Sequence, residues 1–354
     1  MRKIGVGIIG ASPDRGWAAR AHIPALRALP EYELTAVGTS RKESAEESAR
    51  RFRVEHAFTD ARSLAEHPAV DLVVVTVKVP YHVELGQAAL DAGKHLLIEW
   101  PLTATTGQAE ALLAQARTRG VRHAVGLQAR FSPAVNLARN LVAEGYAGRV
   151  TSANVLVALT KGDREQMPAW TAYTYDRANA AGTLEVSGGH TLDALEYVLG
   201  DRLTGLSVRR SIQRPDYTVE ETGEAIEVTS PDQILLHSAL EGGAVVSAHI
   251  HAGKVTQGRT RIEIAGTEGD LVLETTGGSG VQISDARVFG SRGPNGRFEE
   301  LPLPGRIAGL TSDAVGNVAG LYAALAKDIG SGTTTVPDFE TGLRLQHLLD
   351  ALRN

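Results

Sequence analysis

The sequence contains no cysteine among its 354 residues and only 5% aromatic residues. The absence of cysteine excludes disulfide bonds, thiolate metal ligands and a cysteine nucleophile. No apolar run reaches the roughly 18 residues that a membrane-spanning helix needs, so we expect no membrane contact. Acidic and basic residues nearly balance, with a formal net charge of -5, which argues against a nucleic-acid-binding scaffold. These absences favour a cytoplasmic globular protein with enough chain for about two domains.

Short apolar runs alternate with helical patterns in the first part of the chain. The runs cover residues 4–9, 34–37, 71–77, 95–98 and 122–127. Apolar strands separated by helices are typical of a parallel sheet that is covered on both faces. We therefore predict an α/β domain with a parallel sheet over residues 1–130.

The pattern changes after about residue 150, where strand-like segments with short turns continue to about residue 300. A helical stretch at 189–199 interrupts them, 290–305 is predicted as a surface loop, and helices close the chain at 313–329 and 338–352. We predict an α+β domain over residues 131–354 with a large, mostly antiparallel, open-faced sheet. Whether its final helices pack back on the first domain stays open. An uncovered apolar sheet face needs a partner, which predicts a homodimer or homotetramer.

A glycine-rich segment follows the first predicted strand. Residues 5–10 spell G-x-G-x-x-G, but they lie within the strand, whereas the dinucleotide fingerprint must follow it. We place the phosphate loop at residues 10–16 (GASPDRG), where Gly10 makes the tight turn and Ser12 approaches the phosphates. Gly16 then opens the helix, with Arg15 and Trp17 on either side of it as further expected cofactor contacts. An ordinary strand–turn–helix junction is the alternative.

The end of the second predicted strand carries Ser40, Arg41 and Lys42. A site selective for NAD(H) usually places an acid there to bind the ribose 2′-hydroxyl. A hydroxyl followed by two cations suits the additional 2′-phosphate instead, so the sequence favours NADP(H), with NAD(H) as the other option. The alternative is that Ser40 caps the next helix and Glu43 completes a capping box, and both interpretations are compatible.

Three further segments carry a family resemblance: 71–76 (DLVVVT) with His82 beyond it, 92–101 (AGKHLLIEWP) and 182–193 (GTLEVSGGHTLD). With the loop at 10–16, the chain resembles the glucose–fructose oxidoreductase, inositol dehydrogenase and rhizopine catabolism (Gfo/Idh/MocA) family over nearly its whole length. The resemblance implies an N-terminal Rossmann domain, a C-terminal α+β domain, and oxidation or reduction of a sugar or polyol. It also adds expected cofactor contacts, which are Thr76, His82, Glu99, Trp100 and Pro101.

The resemblance breaks at the positions that carry the family's chemistry. The Glu-Lys-Pro motif reads Glu99-Trp100-Pro101, and Val186 replaces the aspartate of the Asp-x-x-x-His pair, which leaves His190. Hydride transfer at a carbon that bears oxygen needs a group to move the hydroxyl proton, and neither tryptophan nor valine does so. The candidate catalytic residues are therefore His190 and Lys78, which follows a predicted strand. For Lys78 the alternative is a solvated surface lysine.

The family covers its substrate with a loop that corresponds to residues 161–181, which implies substrate contacts from Tyr173 and Tyr175. Asp193, one helical turn after His190, is a third contact, for which helix packing is the alternative. His249 and His251 share a strand face, but no third ligand pairs with them, so we expect no metal.

Glu-Trp-Pro, together with Trp17, Ala18, His22 and Pro24, resembles one branch of the family. That branch contains the fungal galactose-pathway regulator, which binds NADP without catalysis and binds a protein partner. Two functions stay open. One is an NADP(H)-dependent oxidoreductase that acts on CH–OH groups of a sugar-like molecule, and the other is a non-catalytic NADP-binding regulator.

Overall fold

The structure is a computed structural model that describes residues 2–161, 165–305, 307, 310 and 312–353. The chain divides into two compact units. The first comprises Met1–Gln128, Ile307–Thr311 and Val315–His347, and the second comprises Ala129–Arg306, Ser312–Ala314 and Leu348–Asn354. Across the described residues, no helix is both long enough and apolar enough to cross a membrane.

The first unit alternates parallel strands with helices. Its strands are β1 (Ile4–Ile9), β2 (Tyr32–Gly38), β3 (His56–Phe58), β4 (Leu72–Val75), β5 (His95–Glu99) and β6 (His123–Gly126). Its helices are α1 (Ile23–Arg27), which continues a π-helical turn over Ala18–His22, α2 (Lys42–Phe52), α3 (Ala61–Glu66), α4 (His82–Asp91) and α5 (Thr106–Arg119). The sheet order is β3-β2-β1-β4-β5-β6, with parallel neighbours. The order changes direction between β1 and β4, which is where open parallel sheets bind ligands.

Local sequence explains most of these elements. All of β4 is buried, as expected for a central strand covered on both faces. Helix α5 begins with a capping box between Thr105 and Gln108 and ends at Gly120, which has a left-handed φ of 63°. The predicted parallel α/β fold is confirmed. Strand β3 and helix α3 were not predicted, since elements of three and six residues are too short to show a period.

The strands of the second unit are β7 (Val150–Thr160), β8 (Gln166–Met167), β9 (Leu203–Ser211), β10 (Asp216–Val219), β11 (Ala225–Glu227), β12 (Gln233–Leu240), β13 (Val245–Lys254), β14 (Arg259–Gly266), β15 (Gly269–Thr275), β16 (Ala286–Arg292) and β17 (Glu299–Leu301). Its large sheet has the order β17-β16-β15-β14-β7-β13-β12-β9, with antiparallel neighbours except for the parallel pair β7–β13. The other three strands form a small sheet in the order β11-β10-β8. The helices of this unit are α6 (Pro133–Ala143) and α7 (Gly189–Leu199). The predicted large, mostly antiparallel sheet is confirmed.

Burial alternates along the central strands of this sheet. In β13, Val246, Ala248 and Ile250 are buried, whereas Ser247 and His249 between them are exposed. One face of the sheet is therefore covered and the other is open, as the strand pattern predicts. The predicted surface loop at 290–305 is wrong in part, because it contains the end of β16 and all of β17. Charged side chains on an exposed edge strand look like loop residues in the sequence.

Helices α8 (Asp313–Ser331) and α9 (Phe339–Arg353) follow. The turn after α8 is organised around the carboxylate of Asp328, which is 1% exposed. It accepts hydrogen bonds from the backbone N–H groups of Thr335 and Val336 at 2.7 and 3.0 Å, and from the hydroxyls of Thr333 and Thr335 at 2.7 and 3.0 Å. Burial raises the pKa of Asp328, but these hydrogen bonds together lower it below its ordinary value.

We expect Asp328→Asn to lower the free energy of unfolding by about 2–4 kcal/mol, because the amide replaces a charged acceptor and leaves donors unsatisfied. Urea unfolding near neutral pH measures this loss. Since the folded-state pKa lies below the unfolded one, the difference between variant and parent must shrink as the pH falls below the ordinary value of 3.8. Asp14→Asn at an exposed site is the matched control, and equal effects of the two changes would contradict the assignment.

Candidate functional site

The loop after β1 has the backbone shape of a phosphate-binding turn. Gly10 and Gly16 have φ values of +96° and +106°, which side chains rarely adopt. A Cβ on Gly10 would lie 2.8 Å from Oγ1 of Thr76 and 2.8 Å from a methyl of Val77, so only glycine fits there. A Cβ on Gly16 would meet nothing within 4 Å, so the loop surface is open at that point.

The other predicted phosphate-loop residues lie around this turn. The N–H of Ser12 donates to the carbonyl of Gly10 at 2.9 Å, and Arg15 is exposed. The hydroxyl of Ser48 in α2 donates to the carbonyl of Ala11 at 2.6 Å, which ties the loop to that helix. The indole N–H of Trp17 is buried and has no hydrogen-bond partner among the described residues.

The end of β2 presents cations beside the start of α2. Ser40, Arg41 and Lys42 are all exposed. The capping alternative for Ser40 is wrong, because the N-cap residue of α2 is Arg41 and it makes no side-chain capping bond. The carbonyl of Arg41 instead accepts hydrogen bonds from the hydroxyls of Thr39 and Ser44, both at 3.0 Å. The backbone is thereby fixed while the guanidinium extends from the surface.

The end of β5 carries a buried polar network that begins at Glu99. Its Oε1 lies 3.0 Å from Nε2 of His22, and Nδ1 of His22 lies 2.7 Å from the hydroxyl of Tyr322. The hydroxyl of Tyr32 in turn donates to the carbonyl of Tyr322 at 2.7 Å. Burial raises the pKa of Tyr322, with Tyr32 and Glu99 adding to it, so the phenol keeps its proton. In the His22 tautomer whose Nδ1 accepts from this phenol, the Nε2–H donates to Glu99.

Room for the Glu99 carboxylate comes from a missing side chain on the neighbouring strand. Gly126 in β6 pairs with Glu99, and a Cβ there would lie 2.5 Å from Oε1 and 2.8 Å from the carboxyl carbon. The side chain of Glu99 is 13% exposed, so its carboxylate is held from within and still reaches the surface. Trp100, at the position of the family lysine, is buried, and the Trp100–Pro101 peptide is cis.

His82 contacts the backbone of the same turn through its buried imidazole ring. Its Nδ1 lies 3.0 and 3.1 Å from the carbonyls of Pro101 and Leu102, and its Nε2 lies 3.0 Å from the carbonyl of Val77. Burial lowers the pKa of His82, while these carbonyl contacts act in the opposite direction. The ring is 1% exposed and both nitrogens face backbone. His82, predicted as a cofactor contact, therefore holds the segments after β4 and β5 in place.

Two other predicted residues lie near the end of β4. The hydroxyl of Thr76 donates to the carbonyl of Ile9 at 3.0 Å, which joins the ends of β4 and β1. Lys78 is exposed in the segment between β4 and α4. Its exposure is compatible both with a ligand contact and with a solvated surface lysine.

The predicted residues of α7 in the second unit do not form an acid–imidazole pair. Asp193 is fully buried and binds Arg130 through two parallel hydrogen bonds, Nε–Oδ2 at 2.9 Å and Nη2–Oδ1 at 2.6 Å. That bidentate pairing occupies the carboxylate, so the helix-packing alternative describes Asp193. His190 is 3% exposed, and among the described residues its Nδ1 has no hydrogen-bond partner. Burial lowers the pKa of His190 to about 3, so the ring is neutral at pH 7.

Tyr173 and Tyr175 lie together on the wall of a cavity of about 220 Å³ in the second unit. Val186, at the position of the family aspartate, contributes an apolar part of the same wall. Burial raises the pKa of Tyr173, which keeps its hydroxyl protonated. Of the predicted substrate-covering loop, residues 162–164 lie outside the described residues.

The paired histidines on β13 stack with ring centroids 4.8 Å apart. Within the described ranges, no group of three or more histidine, cysteine or acidic side chains is placed to hold a metal ion.

Sequence reasoning missed the residues that hold the candidate site from a distance. Tyr322, Gly126 and Arg130 contact predicted residues across sequence separations of 300, 27 and 63 positions. No local pattern marks such partners, because each is defined only when distant elements pack. The glycine that follows the apolar run of β6 is the one available signal, since glycine within a strand indicates a close approach.

Both halves of the chain match known protein families. Residues 4–127 match the model of the Gfo/Idh/MocA oxidoreductase family with an NAD-binding Rossmann fold, and residues 133–275 match that of the Gal80p C-terminal domain. The chain is 34% identical to dehydrogenase aclE of Aspergillus oryzae over 68% of this chain and 67% of that protein. It is 27% identical to the galactose/lactose metabolism regulatory protein GAL80 of Saccharomyces cerevisiae over 97% of this chain and 86% of that protein. A crystal structure of a super-repressor mutant of Gal80p from the same yeast has a TM-score of 0.89 at 25% identity, covering 99% of this chain and 95% of that chain.

We expect Gly126→Ala to destabilise the protein by about 1–3 kcal/mol, because the added methyl group overlaps the Glu99 carboxylate and forces it from His22. Urea unfolding gives this value. Gly107→Ala, at an exposed position of α5 where a Cβ meets nothing within 4 Å, is the matched control and should be neutral or stabilising. An unchanged free energy of unfolding in Gly126→Ala would mean that the carboxylate does not occupy this position.

The low pKa of His190 predicts a pH dependence of stability. Between pH 6.5 and about 3 the unfolded chain binds a proton at this residue and the folded chain does not, so acid favours unfolding. In the parent protein, this proton uptake lowers the free energy of unfolding by about 1 kcal/mol for each pH unit in this range. We expect His190→Gln to abolish that part of the pH dependence. Unfolding curves at pH 7 and pH 5 measure the difference, with His347→Gln at an exposed position as control. Parallel pH profiles for parent and His190→Gln would contradict a buried neutral ring.

Proposed function

The chain belongs to the Gfo/Idh/MocA oxidoreductase family, and from this premise we propose that it is an NADP(H)-dependent oxidoreductase acting on a sugar or polyol. The observation that carries the cofactor preference is the exposed group of Ser40, Arg41 and Lys42 at the end of β2. Two cations and a hydroxyl at a helix N-terminus favour a phosphate over a bare hydroxyl. The alternative cofactor, NAD(H), lacks the group that would use these charges.

The residues of the first unit fit a dinucleotide. The left-handed Gly10 and Gly16 bring the loop backbone close to a pyrophosphate, and Arg15 offers a further charge. The buried indole N–H of Trp17, which has no partner among the described residues, is a donor available to a bound ligand. Glu99, held by His22, is suited to accept hydrogen bonds from hydroxyl groups.

We assign the chemistry to an atypical set of residues. A bound nicotinamide supplies the hydride acceptor or donor. His190, neutral at pH 7, takes the hydroxyl proton on a ring nitrogen when the substrate is oxidised and returns it on reduction. Lys78 is the second proposed catalytic residue, because its exposed positive charge follows β4 at the edge of the sheet where we place the cofactor. Tyr173 and Tyr175 bind substrate hydroxyls, and Asp193 fixes α7 through Arg130 instead of touching the substrate.

A second function is favoured by Trp100. Its indole cannot exchange a proton, it fills the lysine position, and the chain resembles GAL80 along 97% of its length. In that case the chain binds NADP(H) without turnover and passes the state of its cofactor or sugar ligand to a protein partner.

We also propose that the protein is a homo-oligomer through the open face of the second unit's sheet. Leu235 and Val245 are 43% and 61% exposed on neighbouring strands of that face. Apolar side chains on an uncovered sheet are shielded most simply by a second copy of the same surface.

The deciding experiment follows NADPH oxidation and NADP⁺ reduction by absorbance with aldoses, ketoses, inositols and sugar acids, after NADPH binding has been measured by fluorescence in the same samples. Turnover on any compound establishes the oxidoreductase. Tight NADPH binding without turnover on the whole panel favours the regulator instead, and a lack of NADPH binding contradicts both.

Arg41→Ala is expected to weaken NADPH binding about tenfold or more and to leave NADH binding nearly unchanged, because only the 2′-phosphate uses the guanidinium. Fluorescence titration with each cofactor provides the two dissociation constants. Arg50→Ala, another exposed arginine of α2, is the matched control. Equal losses for NADPH and NADH at Arg41→Ala would overturn the assignment.

A further inference from the structure

The cavity of the second unit has more features than the two predicted tyrosines. It encloses about 220 Å³, which is the size of a six-carbon sugar derivative, and its described walls come entirely from the second unit. Among these described wall residues the charged side chains are Lys161, Arg214 and Asp232. Two cations face one carboxylate, so the net charge of these side chains is positive. The contacts of Asp232 decide how far it offsets the two cations.

Asp232 is already occupied by backbone donors. Its two carboxylate oxygens each lie 3.0 Å from the N–H of Gln213, and Oδ2 lies 3.1 Å from the N–H of Arg214. These bonds hold the segment between β9 and β10 that carries Arg214, and they engage the carboxylate oxygens. Asp232 thus builds the wall, and the cations dominate what the cavity presents to a ligand.

The two cations are positioned by aromatic rings. The ammonium of Lys161 lies 5.6 Å from the ring centroid of Tyr175, and the guanidinium carbon of Arg214 lies 5.2 Å from that of Tyr217. The two rings lie against each other with centroids 4.6 Å apart. Contacts of this kind restrict the positions of both cations beside the cavity.

A buried hydroxyl in the wall lacks a partner. Ser230 is 5% exposed, and among the described residues its Oγ makes no hydrogen bond. Its backbone N–H donates to the carbonyl of Tyr175 at 3.0 Å, which fixes its position. Gly182 makes space for it, since a Cβ there would lie 1.9 Å from Oγ. An unsatisfied buried hydroxyl costs stability, and a ligand hydroxyl that binds it removes that cost.

We propose that this cavity binds a sugar acid, with the ligand's carboxylate at Arg214 and Lys161 and a ligand hydroxyl at Ser230. The inference rests on the proposed function and names its substrate class as polyhydroxy carboxylates rather than neutral sugars. Val186 belongs to this selection, because an apolar side chain in the wall does not repel the ligand's negative charge. The hydroxyl of Tyr173, kept protonated by burial, provides a further donor.

The test is calorimetric titration of the full chain with D-gluconate and D-glucuronate, against the neutral D-glucose and sorbitol. We expect both acids to bind at least tenfold more tightly than the neutral compounds, and binding to weaken with added salt. Arg214→Met is expected to reduce acid binding about tenfold or more while leaving the weak glucose binding unchanged. Ser230→Ala should reduce it less, because it removes a neutral hydrogen bond.

Arg209→Met, at an exposed position of β9, is the matched control, and circular dichroism verifies that each variant is folded. Equal affinity for acids and neutral sugars, an absence of acid binding, or an unchanged affinity in folded Arg214→Met would overturn the proposal. NADPH titration of the same samples separates failure of the sugar-acid assignment from failure of the proposed cofactor function. Failure of the acids with intact NADPH binding contradicts only the ligand assignment, whereas loss of NADPH binding with intact acid binding contradicts only the cofactor function.

Discussion

The hydrogen bond between His22 and Glu99 is the contact on which the strand ends of the first unit depend. It joins the end of β5 to the first helical segment, and Tyr322 extends the same chain of bonds to α8. No water reaches His22, which is 0% exposed, so a lost partner has no substitute and each donor and acceptor must stay in place. The space left by Gly126 is part of the same arrangement, because a side chain there would displace the carboxylate.

Hydrogen bonding also decides which polar residues are available for chemistry. His82 and Asp193 have the side chains of reacting groups, yet their polar atoms are used by backbone carbonyls and by Arg130. His190 and Ser230 each keep a buried polar atom without a partner among the described residues. The presence or absence of a hydrogen-bond partner therefore distinguishes residues with similar side chains. The two that have a polar atom without a described partner lie in α7 and in the cavity wall of the second unit.

Much of the fold could be predicted from local sequence. The buried run of β4, the capping box at Thr105 and the glycine turn at Gly10 each report their structure through neighbouring residues. The partner of Asp193 could not be predicted, because Arg130 reaches it only after α6 and α7 have formed within the second unit. The predicted capping role of Ser40 was wrong for a related reason. Its sequence fits a helix cap, but the hydroxyls of Thr39 and Ser44 fix the chain so that Arg41 becomes the N-cap residue.

That fixed backbone separates the choice of cofactor from the folding of the turn. At Arg41 the conformation is held by hydroxyls that bond its carbonyl, whereas the side chain projects outward and contributes nothing to the turn. Under the proposed function, selection between the two nicotinamide dinucleotides then rests on exposed side chains at the end of β2 that the backbone of the turn does not need. A substitution at Arg41 can therefore change which dinucleotide binds while the strand, the turn and the helix stay the same.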